Sequence, residues 1–172
     1  MGEQKTVIDL DSFTSCVCSG RAVPNKLCDG ELAFEEKGKK VTLSLRSGEE
    51  AKALAIDGCV LTDNEPKCDG LFLYRARKNK NFIFLVELKG GEIDHAFGQL
   101  NYMRNNRPEY TQIKTLFMDN QTGSLREEAF IVSNHRISTV DKQKLENQNH
   151  LRVKSILFSA ASSPRPDLRD YL

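Results

Sequence analysis

From residue 31 onward, short runs of apolar or alternating residues are separated by clusters of Gly, Asn, Asp and Lys. Runs of this length, rich in β-branched and aromatic residues and bounded by turn formers, predict strands at 32–35, 40–46, 53–61, 70–75 and 82–88. Strands that follow one another across short connections predict antiparallel pairing. The period then changes: Ile93, Ala96, Phe97, Leu100 and Met103 fall at the i, i+3, i+4, i+7 spacing of an amphipathic helix over 92–106. Asn105-Asn106-Arg107-Pro108 supplies its stop. Further strands are expected at 113–118, 129–133 and 153–158, with a polar helix or helical turn over 140–149 and a short helix near 8–16. The expected fold class is α/β (α+β), a mixed central β-sheet flanked by helices. One domain is expected over 1–158, followed by a Ser/Pro-rich tail, 159–172, whose Leu168, Tyr171 and Leu172 can dock on it.

One strand carries chemistry. Phe82-Ile-Phe-Leu-Val is a continuous apolar run that ends in Glu87-Leu88-Lys89, as in a strand buried on both faces. Alternation sends Glu87 and Lys89 to the face that carries Ile83 and Leu85, and Leu88 to the other. If the hairpin from the preceding strand closes near Lys78, paired residue numbers sum to about 156, which puts Asp69 opposite Glu87 with Cβ atoms about 4.5–5.5 Å apart. Two carboxylates and a lysine then converge. Directly opposed like charges repel, and burying them unpaired costs several kcal/mol. A divalent cation with hard oxygen ligands resolves this, as does a Lys89 salt bridge to one carboxylate with the other solvated. The pattern alone leaves both open.

The chain has 172 residues, 25 Lys plus Arg and 24 Asp plus Glu, a net charge of +1. That balance excludes a wholly basic nucleic-acid binder and leaves room for a local patch. No apolar run approaches the ~18 residues of a membrane span. The first residues lack the apolar stretch of a signal peptide, so a cytoplasmic location without membrane partners is expected. Gly2 and Thr6 fit a myristoylation pattern that no polybasic second anchor follows. The five cysteines, Cys16, Cys18, Cys28, Cys59 and Cys68, include no Cys-x2-Cys pair and no suitably spaced His, so free and mostly buried thiols are expected rather than a metal nest.

Asp69, then Glu87-Leu88-Lys89 in the next strand, then a helix opening at Glu92, resembles the PD-(D/E)XK nuclease superfamily across roughly 53–106. The resemblance implies a restriction-endonuclease-like core and a metal-dependent nuclease acting on DNA, with RNA second. It implies that Asp69, Glu87 and the Leu88 carbonyl hold Mg²⁺ or Mn²⁺, that Lys89 assists the attacking water, and that cleavage leaves a 5′-phosphate and a 3′-hydroxyl. Asp69, Glu87 and Lys89 are thus the expected catalytic residues. Gln99, in the helical stripe His95, Gln99, Tyr102, is carried over as a supporting residue. Cys68 stands where the family often has Pro. For the acidic residue that many members add from an N-terminal helix, Glu31 and Glu50 are the candidates. Gly90-Gly91 allows a sharp turn beside the site.

Two basic groups, Arg75/Arg77/Lys78/Lys80 on the hairpin turn and Lys37/Lys39/Lys40/Arg46/Lys52, are open to duplex contact or plain solvation. The turn lies ~20 Å from Asp69 at ~3.3 Å per residue. Selective targeting in so short a chain would call for a homodimer or a larger complex. The alternative function is a catalytically silent nucleic-acid- or protein-binding module of the same fold. A third is a cysteine-based redox or metal sensor.

Overall fold

A computed structural model describes residues 7–19 and 26–172; the myristoylation pattern at Gly2 lies outside them. A short 3-10 helix at Asp11–Cys16 leads to a hairpin, β1 (Ala33–Glu36) with β2 (Lys39–Thr42). Next come β3 (Glu50–Ala55), β4 (Gly70–Ala76) and β5 (Lys80–Lys89), then α1 (Ile93–Asn106), α2 (Pro108–Met118), β6 (Ser124–Ser133), α3 (Thr139–Asn149) and β7 (Ser155–Phe158). The central sheet has the order β3-β4-β5-β6-β7, antiparallel from β3 to β5 and parallel from β5 to β7. The protein is therefore a mixed α+β fold on a five-stranded mixed sheet.

Period-2 alternation buries both faces of that sheet. Leu71, Leu73, Ile83, Leu85 and Ile131 face Phe97, Leu100, Met103, Tyr110 and Ile113 of the helices. Phe72, Tyr74, Phe84, Val86, Leu88 and Phe130 face Phe34, Val41 and Leu43 of the β1–β2 region. The second face is thus covered by a hairpin and the C-terminal segment, not by helices as expected. Leu168 is fully buried there, and Arg169 grips Glu49 through two bonds of 2.6 and 2.7 Å. Of the three residues expected to dock from the tail, Leu168 is buried, while Tyr171 and Leu172 are exposed.

Four expectations are corrected. Residues 113–118 belong to helix α2, not a strand: Pro108 opens it, and Tyr110, Ile113 and Phe117 fall on one helical face. The strand expected at 53–61 ends at Ala55, where Asp57 and Gly58, the latter at positive φ, turn the chain; the strand expected at 40–46 ends at Thr42. The cysteines are mostly not free thiols: Cys16 bonds Cys59 and Cys18 bonds Cys28, leaving Cys68 as the free one, fully buried. Counting cysteines cannot reveal pairing between segments so far apart in sequence. The pairing also removes the thiolates that a cysteine-based metal sensor needs. No helix of the described residues is long and apolar enough to cross a membrane.

Candidate metal and phosphate site

The β4–β5 register is Gly70↔Val86 through Ala76↔Lys80, so partner numbers sum to 156. Lys78 and Asn79 turn the hairpin with positive φ. Carried one residue past the ladder, the register sets Asp69 across from Glu87. The Asp69 N–H donates to Glu87 Oε2 at 3.0 Å, and the Leu88 N–H donates to Asp69 Oδ2 at 2.7 Å. Each carboxylate is thus oriented by the other strand's backbone. Gly70 makes room beside them: a Cβ there would meet the Phe34 ring at 2.5 Å, so only glycine lets the β1–β2 hairpin pack this close.

Asp69 and Glu87 are 5 % and 2 % exposed. Burial, reinforced by the charge of Glu36, raises the Asp69 pKa to about 7. Burial, then the charge of Asp69, pushes Glu87 well above the usual carboxylate range, with Lys89 opposing the shift. Among the described residues Lys89 forms no ion pair with either acid, so a salt bridge does not resolve the repulsion.

Both carboxylates open on a cavity of about 360 Å³ whose wall includes Leu88, Lys89, Gly90, Gly91 and Gln99. The expected residues Asp69, Glu87, Leu88, Lys89 and Gln99 therefore do share one cavity. Gln99 Nε2 donates to the Lys67 carbonyl at 3.3 Å, while among the described residues its buried Oε1 has no partner. The other residues of that helical stripe do not line it: His95 is exposed and the Tyr102 hydroxyl donates to Glu65 at 3.1 Å. Glu50 sits at the opposite end of β3, accepting from the Ile8 N–H, and Glu31 is exposed ahead of β1. Neither supplies the extra acid. At the far hairpin turn, Arg77 is held by the Ser47 carbonyl.

Sequence reasoning missed Glu36 and Asp57, which line the same cavity; Lys37 and Lys39, from the second basic group, line it too. A second cavity of about 410 Å³ shares Glu36, Lys37, Asp57 and Asp69 with the first. The turn signals at Lys37-Gly38 and Asp57-Gly58 were readable. Nothing local says that the hairpin reaches over the end of the sheet.

The donor set is hard oxygen, which suits Mg²⁺ or Mn²⁺. Glu36, Asp57, Asp69, Glu87 and Glu92 outnumber Lys37, Lys39 and Lys89 on the cavity wall by two, so one divalent cation would balance the fully ionised lining. Among the described residues no three acids, His or Cys form a ready-made cage. A cation here would complete its shell with water, backbone or phosphate oxygens, as Mg²⁺ commonly does. No family model, curated protein or solved structure matches this chain.

Proposed function

We propose that the protein is a divalent-metal-dependent nuclease that hydrolyses phosphodiester bonds of DNA, with RNA as the second substrate. The carrying observation is that Asp69 and Glu87 are buried side by side at the end of β4 and β5, on a cavity that also holds Lys89. The antiparallel β3–β5 meander, followed by α1 and the parallel strand β6, is compatible with a restriction-endonuclease-like core of the PD-(D/E)XK type.

In this reading Asp69, Glu87 and the Leu88 carbonyl hold Mg²⁺ or Mn²⁺. A bound cation there supplies Lewis-acid polarisation of the phosphate and a lower pKa for an attacking water. The backbone N–H of Leu88 holds one oxygen of Asp69, and that of Asp69 holds one oxygen of Glu87. Lys89, which has no carboxylate partner among the described residues, orients the water or stabilises the charge building on phosphoryl oxygens. Gln99 supports the wall through its bond to the Lys67 carbonyl. Partners are nucleic acid, and a second copy or larger complex where targeting is selective. The cytoplasmic setting expected from the sequence has the two cystines against it, because disulfides persist mainly in oxidising compartments.

The test is incubation with plasmid, linear duplex, single-stranded DNA and RNA in Mg²⁺ or Mn²⁺, beside Lys89→Ala. Cleavage by the wild type that falls at least ~100-fold in the variant supports the proposal. Equal activity in both would indicate a contaminant and remove it.

A further inference from the structure

Lys39 is an unusual lysine. It is 5 % exposed, yet among the described residues its ammonium has one contact, a 3.4 Å hydrogen bond to the Lys37 carbonyl of its own hairpin, and no ion pair. Lysine is almost never fully buried without a counter-charge, because losing hydration costs several kcal/mol. The neighbouring Lys40 behaves normally, half-exposed and paired with Glu35 at 3.2 Å. What distinguishes Lys39 is its place. It starts β2 directly after the turn, opposite Glu36, and lines the cavity that holds Asp69, Glu87 and Lys89.

We propose that Lys39 is a second phosphate-binding cation of this site, contacting a backbone phosphate of the bound strand beside the one that Lys89 serves. The inference rests on the nuclease reading and names a further residue for it. Lys89 comes from β5, and Lys39 comes from a separate hairpin packed on the other face of the sheet. The two ammonium groups therefore approach the cavity from different elements, with the carboxylates on the same wall. A phosphodiester strand has what such a pair requires, regularly spaced anions. The lysine stem stays packed while the ammonium exchanges a weak carbonyl contact for a charge-assisted bond to phosphate oxygen. Gly38, at positive φ, allows the tight turn that delivers Lys39 to this position.

The variants are Lys39→Met, which keeps the stem and removes the charge, and Lys39→Arg, which keeps the charge. The readout is fluorescence anisotropy of short labelled single-stranded and duplex DNA in Ca²⁺, over a series of salt concentrations, so that binding is followed without cleavage. Expected for Lys39→Met is a roughly tenfold loss of affinity, with the salt dependence of log K shallower by about 0.7–0.9. Lys39→Arg should recover much of the affinity and the slope. Melting of the Lys39→Met protein with and without Mn²⁺ checks that the variant is folded under the binding conditions. Unchanged affinity and salt slope in a folded Lys39→Met protein overturns the proposal, as does a lowered melting point with an unaltered salt slope, which marks a structural lysine. Wild-type protein that binds DNA but never cuts it removes the hydrolytic reading while leaving Lys39 testable. Wild-type protein that binds neither DNA form overturns both.

Discussion

Glu49 and Glu87 are both glutamates drawn largely out of water at the ends of one sheet, and their proton affinities move in opposite directions. At the Glu49 end, the Arg169 guanidinium forms two hydrogen bonds and holds the carboxyl down at about 2. At the Glu87 end, burial and the charge of Asp69 push the carboxyl well above its ordinary range. The fold thus closes one end with an ion pair and leaves the other end with acids facing a cavity. The unpaired end is where the proposed site lies. Carboxylates perturbed by burial and by each other in a cleft are candidates for a functional site.

The cavity end is held differently as well. The Cys16–Cys59 cystine fixes the turn that carries Asp57, and Cys18–Cys28 anchors the segment bridged to Phe34 of β1, two residues before Glu36. Covalent bonds and backbone hydrogen bonds, not ion pairs, set the geometry of the acids.

The sharpest way to break the comparison is to neutralise one acid at each end. Glu87→Gln should reduce phosphodiester cleavage by about 10²–10³-fold, read in single-turnover assays, whereas Glu49→Gln should leave the rate per folded molecule unchanged. Comparable losses in both would erase the distinction. Reduction comes next. Each cystine stabilises by about 2–4 kcal/mol, so a mild reductant should lower the melting temperature and impair cleavage together. Thiol titration should find one cysteine in the unreduced, denatured chain and none reactive in the native protein, since Cys68 is buried and its thiol is raised well above its ordinary pKa.

The smallest effect belongs to the closed end. Breaking the pair with Arg169→Met should cost about 1–3 kcal/mol. Because the folded Glu49 carboxyl is depressed, its contribution is complete above the ordinary glutamate value of 4.5 and fades as pH falls toward 2. The unfolding free energy, followed by circular dichroism in denaturant, should therefore fall by more between pH 4.5 and 2 in wild type than in Arg169→Met, the two proteins converging at the acid end.

How much of this could be read in the chain depended on distance in sequence. The Asp69–Glu87 juxtaposition was legible because a hairpin with one turn fixes its own register, and the apolar run of β5 announces burial. Helix α1 was legible from its period. Helix α2 was not, since Ile113 to Met118 is a short apolar stretch that periodicity alone cannot assign. Glu36 and Lys39 reach the cavity only through tertiary packing of the β1–β2 hairpin over the sheet end, a placement no local pattern encodes, and Asp57 reaches it from the turn after β3, where its N–H donates to the Asp69 carbonyl. The cystines join segments up to 43 residues apart, and nothing in their spacing chooses between partners.

The most direct test is thermal melting of wild type and Asp69→Asn, metal-free across neutral pH and again with Mn²⁺. A raised folded-state pKa means that the folded form binds the extra proton, so metal-free wild type should lose stability as pH rises from the ordinary aspartate value of 3.8 through about 7. Asp69→Asn should lack that loss and melt higher at neutral pH, while Mn²⁺ raises the melting point of wild type and leaves the variant unchanged. Equal Mn²⁺ responses in the two proteins, with the metal-free variant melting no higher than wild type at neutral pH, would contradict a cation site at Asp69 and Glu87.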